Sequence, residues 1–244
     1  MIVGAIQCKA IKGDIDANIE RHLKFIQIAA NNNVNILFFP ELSITGYEPR
    51  LAESLAIRMS DQILEIFKEQ STRYNITIGV GFPLARQEQV QIGMAWFIPN
   101  EPSISYAKQQ LHDDELPYFV SGEKQLILQT ENYNLAPAIC YESLQPSHAE
   151  HAVAMGANVY LASVAKSDGG IAKAMRHYPK IALKHKIYVI MANCIGPNDD
   201  FVSAGQSAAW NRNGDLIALM GRDSNGILMV DLDRNEASTL TVTV

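Results

Sequence analysis

Short, unbroken apolar runs recur along this chain, and most are followed by a stretch with helical spacing. Ile2–Gln7, Val34–Phe39, Ile76–Gly81, Leu135–Ile139, Asn158–Ser163 and Ile187–Asn193 are too short for helices and too continuously apolar for strands with one wet face. Runs of this kind are strands covered on both sides. Between them, Asp14 or Asp16 can cap a helix whose apolar positions Ile19, Leu23, Ile26 and Ala30 step by four, three and four. Further helical spacing covers roughly Leu51–Tyr74, Pro146–Met155 (stopped by Gly156) and Gly170–Lys186. The rhythm breaks at Gln91–Ile98 and Ser103–Ala107, which the turn Pro99–Pro102 joins as a hairpin. Leu126–Gln129 pairs with Asn134–Ile139, and short strands Gln206–Trp210, Leu216–Leu219 and Gly226–Asp231 close the chain. The simplest arrangement is α/β: two mixed sheets packed face to face, with helices outside. Neither a linker nor a repeat interrupts residues 1–244, so one domain is expected.

The composition narrows the function. With 244 residues and 48% hydrophobic content, the chain should bury roughly 70% of its unfolded surface. A net charge of -6 and scattered Lys and Arg argue against nucleic acid or an anionic membrane as partner. The N-terminal MIVGAIQCKA lacks a signal-peptide pattern, and no apolar run reaches the ~20 residues that span a bilayer. Cys8, Cys140 and Cys194 are widely spaced, which suits a reducing compartment and a cytoplasmic location.

Three chemically distinct side chains follow strand-like runs, where α/β folds place their sites. Glu41 follows Ile36–Phe39 in FFPELSITGY, Lys108 follows Ser103–Ala107 in ISYAKQQL, and Cys140 ends Leu135–Ile139 in the stretch YNLAPAICYES. Cys140 thus occupies a strand-to-helix turn, with backbone N–H groups nearby to stabilise negative charge. A carboxylate, an ammonium and a thiol in one pocket form a working set. The carboxylate takes the thiol proton, the thiolate attacks, and the ammonium steadies the oxyanion. Phe38, Phe39 and Pro40 would supply the apolar surroundings that raise a carboxylate's proton affinity.

Pro40-Glu41-Leu42-x-x-x-Gly46-Tyr47, Tyr106-x-Lys108-x-x-Leu111 and Cys140-Tyr141-Glu142 occur in that order, followed by Gly156-Ala157-Asn158 and Ala192-Asn193. In this pattern the chain resembles the nitrilase superfamily of carbon–nitrogen hydrolases over essentially its whole length. The resemblance implies a four-layer αββα sandwich and a Glu41–Lys108–Cys140 triad. It also implies a second glutamate that helps position the substrate and the catalytic lysine, best matched by Glu115 in LHDDELPYFVSG, and an oxyanion site shared by Lys108 and the Tyr141 N–H. A homodimer formed through the helices after the cysteine strand, and a cofactor-free reaction on a small amide, are further implications. Many carbamoyl-cleaving relatives carry an Arg soon after the cysteine; Tyr-Glu-Ser-Leu-Gln-Pro stands there here, which disfavours an N-carbamoyl amino acid. The expected reaction is hydrolysis of a small linear amide through a thioester. Addition to C≡N, N-carbamoyl hydrolysis and a non-catalytic binding role stay open.

Around the triad, Tyr47 and Phe82 are expected as pocket walls, with residues Ser163 to Lys166, Ala165 among them, lining the pocket past the next strand's end. Glu142 has two readings, a pocket acid facing the substrate or a cap for the helix near Pro146. Ser163-Val-Ala-Lys166 matches the SxxK spacing of Ser–Lys hydrolases, but without the partner motifs it reads as chance. His148 and His151 share a helix face yet lack a third metal ligand, so they read as surface or interface histidines, and no metal is expected. No glycine-rich phosphate loop is present. Cys8 and Cys194 read as packing.

Overall fold

A computed structural model describes residues 1–243. In chain order the elements are β1 (Ile2–Gln7), α1 (Ile15–Asn31), β2 (Ile36–Phe38), α2 (Glu65–Tyr74), β3 (Thr77–Arg86), β4 (Gln89–Phe97) and β5 (Ile104–Ala107). There follow β6 (Leu128–Gln129), β7 (Asn134–Ile139), α3 (Pro146–Ala154), β8 (Val159–Val164), α4 (Asp168–His185) and β9 (Tyr188–Asn193). The last are β10 (Ile195–Pro197), β11 (Val202–Ala204), β12 (Ala208–Trp210), β13 (Leu216–Leu219), β14 (Gly226–Asp231) and β15 (Glu236–Thr241).

Strands form a seven-stranded sheet ordered β15-β14-β1-β2-β3-β4-β5, a six-stranded sheet ordered β13-β12-β9-β8-β7-β6, and a separate β10–β11 hairpin. The parallel pairs β1–β2–β3 and β7–β8–β9 lie at the centre of each sheet. They need coverage on both faces, which explains their continuous apolar sequences. Alternation then sorts the residues into layers. Val3 and Ala5 of β1, Leu135 and Ile139 of β7, and Val159 and Leu161 of β8 meet in the core between the sheets. Ile6 faces α1 and α2 with Phe25, Ile26 and Phe67, while Ala136, Ala138, Tyr160 and Ala162 face α3 and α4 with Ala149, Ala174 and Tyr178. The result is the expected αββα sandwich.

Several expectations change. The helical spacing over Leu51–Tyr74 produces an α-helix only at Glu65–Tyr74. Upstream, Ile57 bonds the edge of β3 (its N–H to the Pro83 carbonyl and the Ala85 N–H to its own carbonyl, both 2.9 Å), which holds that segment extended. The β10–β11 hairpin and β15 carried no strong apolar signature; β15 is an edge strand of sequence EASTLT, mostly exposed. His148 is buried rather than a surface histidine, with Nδ1 2.7 Å from the Tyr160 hydroxyl and Nε2 3.0 Å from that of Tyr106. Ala149 and Ala152 of the same helix pack inward as well. Among the described residues no helix is long and apolar enough to cross a membrane, and no three His, Cys, Asp or Glu side chains gather as a metal site.

Candidate active site

The segments leaving β2, β5, β7 and β8 converge between the two sheets. The loop carrying Glu41 lies along β3, where the Phe39 N–H donates to the Gly79 carbonyl (2.9 Å) and the Ile44 N–H to that of Gly81 (3.0 Å). Gly81 is required for that approach, because a Cβ would stand 2.7 Å from the Leu42 nitrogen and 3.0 Å from the Pro40 oxygen. From α1, His22 stacks on Phe39 with ring centroids 4.0 Å apart and sets Nε2 2.9 Å from the Ser43 hydroxyl. Burial pushes its pKa down to about 4, so the imidazole that pins this loop is neutral.

Lys108 leaves β5 with its N–H on the Ile92 carbonyl (2.9 Å) and its carbonyl accepting from the Gly122 N–H (2.7 Å). Its Nζ donates to Glu41 Oε1 at 2.8 Å and to Glu115 Oε1 at 2.6 Å, and all three side chains are buried. Glu115 is further fixed by the Tyr47 hydroxyl on Oε1 (2.9 Å) and the His112 N–H on Oε2 (2.8 Å). Burial opposes charge on Lys108, yet the two carboxylates outweigh it and hold the ammonium above its ordinary pKa. Glu41 is pushed up by burial, which the Lys108 ammonium offsets only in part. Its second oxygen, Oε2, is buried without a hydrogen-bond partner among the described residues.

Cys140 sits at the end of β7 with φ 43, a left-handed conformation that costs a non-glycine residue about 1 kcal/mol or more. The Cys140 N–H donates to the Ser163 carbonyl at 3.0 Å, and the Ser143 hydroxyl donates to the Cys140 carbonyl at 2.5 Å. These bonds turn the half-buried sulfur out of the sheet edge. Burial and the Glu41 carboxylate push its pKa up to about 11, against the pull of Lys166 and Lys108, so the resting group is a thiol. The sulfur opens onto a cavity of about 500 Å3 whose wall includes Tyr47, Glu115, Tyr141, Ala165, Lys166 and Phe201.

Glu41, Lys108, Glu115 and Cys140 are therefore brought together, and Tyr47, Tyr141 and Ala165 line the same cavity. Three expected pocket residues are not there. Phe82 is fully buried on the helix-facing side of β3 with Ile78, Val80 and Leu84, because even-numbered residues of that strand point away from the second sheet. Ser163 turns its hydroxyl onto the Phe39 carbonyl (2.8 Å) and braces the Glu41 loop. Glu142 is neither a pocket acid nor a helix cap. It is fully buried and accepts from the Ile139 N–H (2.7 Å), the Tyr106 hydroxyl (2.6 Å), the Gln109 N–H (2.6 Å) and the Gln110 N–H (3.3 Å), tying the Lys108 segment to the Cys140 turn. Burial pushes its pKa up to about 7 against those donors. Phe201, edge-on to Tyr47 at 5.5 Å, was invisible in sequence because its hairpin was. Lys166 lines the cavity, as expected of the residues that follow the β8 strand end.

The carbon-nitrogen hydrolase family model matches residues 2–241. The chain belongs to the carbon-nitrogen hydrolase family. Within it, the chain is 26% identical over 237 residues to a glutamine-dependent NAD(+) synthetase of Thermotoga maritima, covering 92% of this chain and 40% of that protein. This hydrolase-family chain therefore spans well under half the length of that relative. It is 21% identical to a probable nitrilase of Schizosaccharomyces pombe, covering 93% of this chain and 86% of the relative. Among solved structures, the NitN amidase of Nesterenkonia sp. AN1 superposes with a TM-score of 0.86 at 24% identity, over 95% of this chain and 92% of that one. The chain thus shares the fold of that amidase.

Proposed function

We propose that this protein is a thiol amidase acting on a small linear amide, with Cys140 as nucleophile, Glu41 as general base and acid, and Lys108 as oxyanion donor. Glu41 takes the thiol proton on Oε2, and the sulfur pair forms the S–C bond while the carbonyl π pair moves onto oxygen. That oxyanion is met by the Tyr141 N–H and by the third N–H of Lys108, whose other two are held by Glu41 and Glu115. Collapse breaks the C–N bond, and the departing nitrogen takes the proton from Glu41. Water then gives a proton to Glu41 and attacks the thioester; the C–S bond breaks and the departing thiolate takes that proton back from Glu41, freeing the acid. Glu115 positions Lys108 from the wall of the same cavity.

The observation that carries this reading is the unequal use of the Glu41 carboxylate. One oxygen is anchored to Lys108 and the other lacks a partner, in the same buried cluster whose charges bear on Cys140. Support comes from the Nesterenkonia amidase, one form of which is in complex with butyramide, while another carries the acetamide moiety of fluoroacetamide on its active-site cysteine. A homodimer, by family resemblance, and a cytoplasmic location, from the widely spaced cysteines, are part of the proposal; sedimentation and fractionation test them.

The test is ammonia release from a panel of short linear amides, glutamine, N-carbamoyl amino acids and nitriles. Wild type should release ammonia from short amides, and Cys140→Ala should release none while unfolding at an unchanged temperature. Turnover by Cys140→Ala near the wild-type rate would end this reading. Cleavage of nitriles alone would replace the amidase reading by a nitrilase.

A further inference from the structure

Among the described residues, Lys166 is the one cation at the sulfur for which the scheme above has no use. It is 4% exposed, and its Nζ stands 3.7 Å from Cys140 Sγ and 3.3 Å from the Cys140 carbonyl oxygen, without a carboxylate partner among the described residues. Its backbone is clamped on both sides. The Lys166 N–H donates to Asn193 Oδ1 (2.8 Å), and its carbonyl accepts from the Ala204 N–H (2.9 Å) and Asn193 Nδ2 (3.1 Å). Gly170 leaves room for the stem, since a Cβ there would lie 3.0 Å from Lys166 Cβ and 3.3 Å from Cγ. A buried lysine held this firmly, with its ammonium on a thiol and a carbonyl, has no carboxylate in direct contact among the described residues and is placed to answer charge on the sulfur.

We propose that Lys166 is a further catalytic residue, the ammonium that stabilises the Cys140 thiolate whenever sulfur carries charge. The inference rests on Cys140 being the nucleophile. Charge counting supports it. Glu41 and Glu115 set two negative charges against the single positive charge of Lys108, so that buried group is net negative whether the proton sits on sulfur or on Glu41. Lys166 brings the count to zero. Moving the proton from sulfur to Glu41 then creates a thiolate beside an ammonium rather than beside a surplus of acid. The two lysines divide the work: Lys108, tied to both carboxylates, serves the carbonyl oxygen, and Lys166 serves the sulfur before attack and again when the thioester expels it.

The titratable groups bearing on the sulfur are Glu41, Lys108, Glu115, Tyr47, Tyr178 and the buried Cys194, besides Lys166 itself. On the same wall, burial and the Lys166 charge hold His177 below its ordinary pKa, so it brings no second cation to the thiol at neutral pH. Among the described residues its Nε2 lacks a hydrogen-bond partner.

The test is the rate of Cys140 alkylation by iodoacetamide from pH 6 to 10 in wild type, Lys166→Arg, Lys166→Gln and Lys166→Met. This reagent is neutral, and its reaction does not depend on the protein having an amide substrate. In Lys166→Gln, which keeps a donor for the Cys140 carbonyl, and in Lys166→Met, the line of log rate against pH should fall about tenfold or more, as expected for a thiol pKa raised by about one unit. Lys166→Arg should restore most of the loss. On a short neutral amide the same two variants should lose kcat while KM stays within about twofold. An unchanged alkylation profile in a Lys166→Gln protein that melts at the wild-type temperature would overturn the proposal. So would a loss confined to KM for amides bearing a carboxylate, which would make Lys166 a substrate handle. If wild type alkylates as described yet hydrolyses no amide, the amidase reading fails and the Lys166 assignment stands.

Discussion

Two buried carboxylate networks flank the Cys140 turn, and they are built on opposite plans. On one side Glu41 shares Lys108 with Glu115 and keeps Oε2 unsatisfied. On the other, both oxygens of Glu142 are occupied by backbone and hydroxyl donors from two segments of chain, and the adjoining His148 is bonded at both nitrogens. Neither acid is exposed. An unfilled acceptor in a low-dielectric site costs stability and preserves capacity to take a proton, whereas a filled one gives rigidity. The difference teaches that burial alone does not mark a catalytic carboxylate; an unspent lone pair beside a nucleophile does.

The sharpest way to break the comparison is to make each acid an amide. Glu41→Gln should lower kcat/KM by at least ~10^3 while leaving the urea midpoint close to wild type, because Lys108 keeps Glu115 as counter-ion. A Glu41→Gln enzyme within tenfold of wild type would mean that another group moves the proton. Glu142→Gln should behave in reverse. Its side-chain NH2 would face backbone N–H donors, costing about 2–4 kcal/mol of unfolding free energy by urea titration, with a smaller loss of turnover in the folded fraction.

A pH experiment sharpens the contrast at the Glu41 loop. The His22 pKa falls from 6.5 in the unfolded chain to about 4 in the fold, so the native state binds fewer protons in that window. Its contribution is therefore complete above pH 6.5 and is lost as pH falls toward 4, by about 3 kcal/mol in all. The stability gap between wild type and His22→Gln should close over that range; a gap that stays constant from pH 7 to pH 4 would contradict a neutral buried His22. The smallest expected effect is at Tyr47→Phe. Glu115 keeps Lys108 and the His112 N–H, so kcat should drop about five- to tenfold, equivalent to about 1 kcal/mol.

Much of the site was legible because its chemistry follows strand ends. Glu41, Lys108 and Cys140 each follow a readable strand-like run, and Glu115 was placed by resemblance to the carbon-nitrogen hydrolase motif. What failed did so for identifiable reasons. Phe82 follows the same apolar run as its neighbours, but the parity of β3 turns it toward the helices, and a one-residue change of register would have reversed that. Glu142 stands two residues past Cys140, and nothing local says that the backbone of Gln109 comes to meet it. The Leu51–Leu64 part of the expected helix kept its apolar spacing but gave up helix to bond the edge of β3 through Ile57.

By itself the sequence determined the layers. Periods of two and of about 3.6 residues are local properties, and they dictate which elements bury which face. The tertiary structure decided which polar atoms are satisfied and which are left over, since that depends on partners dozens of residues away: 67 between Lys108 and Glu41, 26 between Lys166 and Cys140. Proton affinity follows from that distant pairing and from burial, so the chemistry of Glu41, Glu142 and Lys166 became distinguishable only once the two sheets had closed on one another.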